Sequence, residues 1–132
     1  MNEDEVSSDL LRFEGIPLTE LEIDAVDWQH RADYIRTRSR RKGPREFDVE
    51  PHWATEAALD PHRLIGRGSS HTSIEVVGYA PSAPSREGEE GRGRVLKIWL
   101  VPKDHPPTGE WWDANACDAN DRDHREYQEL DR

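Results

Sequence analysis

Residues 94–101 read Arg-Val-Leu-Lys-Ile-Trp-Leu-Val, and the fold that the sequence predicts is built around this stretch. Successive side chains of a β-strand point to opposite faces of the sheet. One face of the predicted strand is therefore purely aliphatic and carries Leu96, Ile98 and Leu100. We expect this face to pack against helices. The opposite face places Lys97 beside Trp99.

The face that carries Lys97 and Trp99 has two interpretations. An ammonium group beside an indole on a partly open sheet can hold a phosphate while a base stacks on the ring. Alternatively, the face is a second apolar layer that the terminal tail or a partner subunit covers, because exposed apolar patches more often mark protein contacts than chemistry. The sequence leaves both interpretations open.

The apolar spacing elsewhere predicts the remaining elements. Alternating or short apolar runs predict strands at 62–66, 73–79, 94–101 and 110–116. Helical spacing predicts helices at 28–39, 51–59 and 119–130. A short half-buried strand is also indicated at 21–26. The predicted fold class is therefore α+β, with two N-terminal helices packed on a four-stranded antiparallel sheet and a C-terminal helix.

The composition predicts one small domain with an extension. The 132 residues include 28 acidic and 18 basic side chains, and 33% of the chain is hydrophobic. Residues 1–20 are acidic and lack sustained periodicity, so we expect a flexible acidic extension there and a single domain over 21–132. The chain has neither an apolar run of membrane-spanning length nor a basic leader, which predicts a cytoplasmic protein with no membrane contact.

Positive charge is concentrated in two short segments. Residues 28–45 hold seven bases against one acid, and residues 91–103 hold four bases and no acid. Local positive potential on an acidic body would permit contact with phosphates at one place. A solvated helix face and a hairpin edge protected by charge would explain the same pattern.

Five segments together carry a resemblance to a known family. They are Trp28-Gln29-His30-Arg31-Ala32-Asp33-Tyr34-Ile35; Pro51-His52-Trp53-Ala54-Thr55-Glu56-Ala57 with the turn Asp60-Pro61; Ile74-Glu75-Val76-Val77-Gly78-Tyr79; Arg94-Val95-Leu96-Lys97-Ile98-Trp99; and Ala114-Asn115-Ala116 leading through Ala119-Asn120 to Arg125-Glu126-Tyr127. In this order and spacing, they resemble the BrnT-type toxins of the RelE-like ribonuclease group.

The resemblance implies a RelE-like fold and a ribonuclease toxin of a type II toxin-antitoxin pair. Its partner would be a small DNA-binding antitoxin, and its substrate would be RNA. Cleavage of this class uses no metal and no cofactor. It needs a base for the ribose 2′-hydroxyl, cations for the charge on the phosphate and an acid for the leaving oxygen.

Candidates exist for each of these roles. His71 and His124 are proposed for proton transfer because the unperturbed pKa of histidine lies near neutrality. Arginine and lysine side chains would hold the phosphate. The predicted catalytic residues are His71, Arg94, Lys97 and His124. The predicted substrate-binding residues are Arg67, Arg92, Trp99, Arg125 and Tyr127.

The chain departs from the family pattern after Ala116. Many members place an arginine and a second base there, whereas this chain has Cys117 and Asp118. A carboxylate at this position repels RNA, which leaves open a non-catalytic family member that acts as a protein-interaction module. Cys117 is not predicted to be a nucleophile, because no orienting group accompanies a nearby histidine. The Cys and His spacing also predicts no zinc site.

Overall fold

The structure is a computed structural model and describes residues 12–68, 72–89 and 91–130. Seven strands occur in this part of the chain: β1 (Arg12–Phe13), β2 (Ile16–Pro17), β3 (Ala25–Asp27), β4 (Leu64–Arg67), β5 (Ile74–Pro84), β6 (Arg92–Pro102) and β7 (Glu110–Asp118). The helices are α1 (Ala32–Arg36), α2 (Arg38–Lys42), α3 (Pro51–Ala58) and α4 (Asp121–Leu130), and a 3₁₀ helix covers Leu18–Glu20. The α+β class is confirmed.

The main sheet has five strands in the order β3-β7-β6-β5-β4. Strands β4 to β7 pair antiparallel as predicted, but β3 pairs parallel with β7. The prediction of a four-stranded, wholly antiparallel sheet is therefore wrong. The alternation at 21–26 indicated a strand, but so short a pattern does not specify a partner or a direction.

Two further boundaries differ from the prediction. The helix expected at 28–39 is divided at Thr37, whose φ of −119° and ψ of 25° leave the helical region. The Thr37 hydroxyl donates to the Asp33 carbonyl, a local bond of the kind that bends helices. Strand β5 also continues to Pro84, five residues beyond the end predicted at residue 79, with a register shift between Ala80 and Pro84. Pro81 and Pro84 cannot donate to the ladder, which explains the interruption.

The aliphatic face of β6 forms the centre of the core, as predicted. Leu96, Ile98 and Leu100 are fully buried. Helix α3 begins with Pro51 at its first turn, where the missing N–H costs nothing, and buries Ala54, Ala57 and Ala58. These small side chains let the helix lie directly on the sheet.

Residues 12–20 differ from the flexible extension assigned to 1–20. They form the β1–β2 hairpin and the 3₁₀ helix, and they bury Phe13 and Leu18. The Phe13 ring lies 6.2 Å from the ring of Trp111, whose indole donates to the Glu22 carbonyl. The sequence pattern missed this contact because its partner lies almost a hundred positions away. Residues 1–11 lie outside the described part of the chain.

The opposite face of the sheet is partly covered by the C-terminal helix. Ala119 and Tyr127 pack on Val77 and Val95 and form a second, smaller apolar cluster. None of the helices in the described ranges has the length and apolar character needed to cross a bilayer.

The contact between α3 and β5 generates a stability prediction. A Cβ added at Gly78 would lie 1.9 Å from the backbone oxygen of Ala57. Gly78→Ala should therefore lower the free energy of unfolding by about 1–3 kcal/mol, because helix and sheet must separate. Urea unfolding measures the change. The matched control is Gly66→Ala in β4, where the added Cβ meets nothing within 4 Å; equal losses in the two variants would contradict this close approach.

Asp113 is an unusual core residue of β7. It is 5% exposed, and neither carboxyl oxygen makes a hydrogen bond of normal geometry within the described part of the chain. Burial raises the pKa of this carboxyl from 3.8 to about 8, against the opposing charge of Arg31. The folded protein therefore favours the protonated, neutral form at neutral pH.

The raised pKa of Asp113 makes stability depend on pH. Between the unfolded pKa of 3.8 and the folded pKa of about 8, the folded protein keeps a proton that the unfolded chain releases. The free energy of unfolding should therefore fall as pH rises through this interval. When the pH is raised from about 5 to about 9, the urea midpoint of the original protein should fall. The midpoint of Asp113→Asn should fall less, because the asparagine cannot titrate. Asp33→Asn, at a side chain 97% exposed, should follow the original protein; parallel curves for all three would contradict the prediction.

A candidate functional site at the end of the sheet

A cavity of about 550 Å³ lies where the β5–β6 connection meets α4. Arg92, Arg94 and Val95 contribute from β6, and His124 and Tyr127 contribute from α4. The wall includes guanidinium, imidazole and phenol side chains: Arg86, Arg92, Arg94, His62, His124, Tyr79 and Tyr127. Asp60 and Glu89 add carboxylates. Four of the nine residues predicted from the sequence therefore line one cavity.

Arg94 is held rigidly at the edge of this cavity. Its Nη1 lies 3.2 Å from Asp118 Oδ2, and its Nε donates to the Pro84 carbonyl at 3.0 Å. The guanidinium lies 3.9 Å from the centre of the Phe47 ring, and the side chain is 11% exposed. Arg94 therefore supplies fixed positive charge from a side chain that is already bonded.

Asp118 is the carboxylate that organises the arginines. Arg86 Nη2 lies 3.9 Å from the same Oδ2 that binds Arg94, so one carboxylate contacts two guanidinium groups. Burial raises the pKa of the Asp118 carboxyl, although Arg94 and Arg86 act in the opposite direction. From its sequence position, Asp118 was expected only to repel RNA. In the structure it positions the cations of the cavity.

His124 brings an imidazole to the cavity from the first turns of α4. Its Nε2 lies 3.8 Å from Glu89 Oε1, and its side chain is 15% exposed. Its Nδ1 is buried and makes no hydrogen bond to any described residue. An imidazole in this setting is able to accept or release a proton toward a molecule in the cavity.

Asp60 links the cavity wall to α4. Its Oδ2 accepts hydrogen bonds from the Tyr127 hydroxyl and from the Tyr79 backbone N–H, and its Oδ1 accepts one from the His62 backbone N–H. Asp60 is 8% exposed, so these donors compensate a buried carboxylate. Tyr127 is therefore an anchor of α4 as well as a wall residue.

Lys97 and Trp99 do not line the cavity. Lys97 Nζ lies 3.0 Å from Asp123 Oδ2 in α4 and 3.7 Å from Glu75 Oε2. The Trp99 indole donates to Glu75 at 3.1 Å. The interpretation of this face as a freely accessible cationic surface is therefore wrong, because α4 covers Lys97. Burial would lower the pKa of Lys97, but the two carboxylates outweigh it and raise that pKa.

Apart from Arg92, the remaining predicted residues do not lie at the cavity in the described part of the chain. Arg92 is exposed at the cavity and donates to the Ser82 carbonyl. Arg67 ends β4, and Arg125 is exposed on α4; neither lines the cavity. His71 lies outside the described residues. Arg86 and Tyr79 line the cavity but were not among the predicted site residues, because nothing in the sequence indicates that they lie near Arg94 and His124.

Cys117 is poorly suited to nucleophilic chemistry. Burial raises the pKa of its thiol to about 11, so the reactive thiolate is scarce at neutral pH. Within the described ranges, no group of three His, Cys, Asp or Glu side chains is arranged to hold a metal ion. The arginine and histidine side chains that line the cavity can bind anions and transfer protons.

No family model, curated protein or solved structure matches this chain.

The bond between Tyr127 and Asp60 generates a further prediction. Tyr127→Phe removes one donor from a buried carboxylate and should lower the free energy of unfolding by about 1–3 kcal/mol. Tyr79→Phe is the matched control, because that hydroxyl donates to the Arg92 carbonyl at an exposed position; its loss should cost less than about 0.5 kcal/mol. Thermal or urea unfolding distinguishes the two. Equal effects would show that the Asp60 contact does not anchor α4.

Proposed function

We propose that this chain is a metal-independent ribonuclease of the BrnT-like, RelE-like toxin type, and that RNA is cleaved in the cavity. The proposal is supported by the convergence of Arg92, Arg94, His124 and Tyr127, which come from two separate elements and line the same space. The sequence pattern and the resemblance predicted a site role for each of these four residues. The partner would be a small DNA-binding antitoxin, and the site of action would be the cytoplasm.

The proposed reaction is transfer of the RNA phosphodiester to the neighbouring ribose oxygen. His124 accepts the proton of the 2′-hydroxyl, the 2′-oxygen forms a bond to phosphorus, and the bond from phosphorus to the 5′-oxygen breaks. The leaving oxygen takes a proton from His62, the second imidazole that lines the cavity. The products are a 2′,3′-cyclic phosphate and a 5′-hydroxyl.

The arginines of the cavity have two different electrostatic roles. Arg92 is exposed and can turn toward the phosphate, whereas Arg94 and Arg86 are fixed by Asp118. Fixed cations stabilise charge that develops on the phosphate without having to reorganise during the reaction. Asp118 thus has a positive role: it keeps the guanidinium groups at the cavity.

The test uses a single-stranded RNA oligonucleotide, excess EDTA and homogeneous protein. We expect cleavage to a 2′,3′-cyclic phosphate, and His124→Asn should reduce kcat/KM by at least about 100-fold through loss of proton transfer. Arg92→Gln should reduce kcat/KM by about tenfold, since a charged hydrogen bond to phosphate is lost. Chromatography with mass detection identifies the product ends.

The matched control is Arg122→Gln. Arg122 lies on α4, pairs with Glu126 and has a side chain 81% exposed, away from the cavity wall. Its loss changes the net charge as much as Arg92→Gln does, but it should leave cleavage unchanged. Two results would contradict cleavage in the cavity. One is full activity in His124→Asn; the other is a loss of activity in Arg122→Gln as large as the loss in Arg92→Gln.

A second function is favoured by the pairing of Arg94 and Lys97 with carboxylates. Neutralised cations suit a protein contact better than an RNA contact, so a non-catalytic interaction module is the alternative. The same assay separates the two functions. Intact RNA at high protein concentration would favour the module, and cleavage by homogeneous protein would eliminate it.

A further inference from the structure

Helix α4 is attached to the sheet by few apolar contacts. Tyr127 is its only buried side chain among those described, and Ala119, just before the helix, supplies the other apolar contact. By comparison, the shorter α3 buries three alanines. Charge and hydrogen bonds must therefore contribute much of what holds α4 in place.

Two acids at the start of α4 provide that attachment. Asp123 Oδ2 lies 3.0 Å from Lys97 Nζ, and both side chains are largely shielded, at 13% and 18% exposure. Asp121 Oδ1 lies 3.2 Å from Arg86 Nη1, while Nη2 of the same arginine donates to the Ala119 carbonyl. Each acid thus forms an ion pair with a cation that belongs to the sheet or to the β5–β6 connection.

A carboxylate bound to a cation occupies the position that a phosphate oxygen would take. An aromatic ring lies next to one of these cations, because Lys97 Nζ is 5.7 Å from the centre of the Trp99 ring system. A cation next to an indole is the arrangement on which single-stranded nucleic acids bind through phosphate contact and base stacking. Glu75 stays beside Lys97 at 3.7 Å, so the uncovered surface would be only moderately cationic.

We propose that α4 is an autoinhibitory strap over a binding surface for single-stranded nucleic acid formed by Arg86, Lys97 and Trp99. Asp121 and Asp123 hold the two cations until phosphates of a polyanion, or high salt, displace these two carboxylates, while the Tyr127–Asp60 hydrogen bond keeps His124 at the cavity. The two ion pairs differ in accessibility. The Asp121 side chain is 91% exposed, so its pair with Arg86 is readily screened, whereas the pair between Asp123 and Lys97 is shielded and must be displaced by direct competition. The inference rests on the proposed function for its choice of ligand but not for its test.

The test measures binding of a fluorescein-labelled single-stranded DNA oligonucleotide by anisotropy. This probe has no 2′-hydroxyl, so cleavage cannot affect the result. The Asp121→Asn, Asp123→Asn double variant should bind about tenfold more tightly at low salt, because one carboxylate fewer competes with phosphate at each of Arg86 and Lys97. The plot of log affinity against log salt should become steeper by about 1.4, since each single-stranded contact contributes about 0.7.

The matched control is the Asp33→Asn, Glu126→Gln double variant. It removes the same two charges at exposed positions that contact neither Arg86 nor Lys97. Its binding should equal that of the original protein. Circular dichroism and amide hydrogen exchange of the Asp121→Asn, Asp123→Asn variant should show an intact sheet and faster exchange confined to α4.

A third variant tests whether the tighter DNA binding depends on the proposed surface. Adding Lys97→Gln to the Asp121→Asn, Asp123→Asn variant should abolish most of the tighter binding. Unchanged binding in the double variant, an equal gain in the control, or a gain that survives Lys97→Gln would each overturn the strap. If the original protein fails to cleave RNA, the proposed function fails, while this DNA-binding test still decides the role of α4.

Discussion

Ion pairs between distant segments determine how the end of the sheet is arranged. Asp118 at the end of β7 contacts Arg94 from β6 and Arg86 from the β5–β6 connection. Asp123 joins α4 to Lys97 in the same way. Without these carboxylates, several cations would lie close together in partly buried positions, where mutual repulsion is weakly screened. The acidic residues of the second half of the chain therefore act as internal counter-charges that fix the cavity and the helix beside it.

The same pairing changes how the charge pattern should be interpreted for function. A run of bases without acids, such as 91–103, suggests a cationic surface when only neighbours in sequence are considered. In the folded chain, Arg94 and Lys97 meet acids from β7 and α4, and Lys103 meets Asp27 at 2.8 Å. Any anion must therefore enter the cavity beside Arg92 or compete with carboxylates already in place. This constraint favours a small, selective contact over a broad polyanion surface.

Much of the fold was predictable because it depends on local periodicity. The alternation in 94–101 identified which side chains of β6 enter the core, and the Pro51 start with closely spaced alanines identified α3. The parallel pairing of β3 and the buried hairpin of residues 12–20 were not predictable, since both depend on partners in β7. Part of the site was also predictable from the sequence. Arg92 belongs to the base-rich segment 91–103 and His124 is a residue type suited to proton transfer, whereas Arg86 gains its role only from its contact with Asp118.

The sequence by itself determined the order of the elements, the aliphatic face of β6 and the abundance of acids over bases, because each of these is a property of adjacent or regularly spaced residues. Only the tertiary structure decided which carboxylate neutralises which cation and which side chains share the cavity. Lys97 finds Asp123 across 26 positions and Tyr127 finds Asp60 across 67. Coulombic and hydrogen-bond partners are selected by distance in space, and no periodicity along the chain encodes that distance.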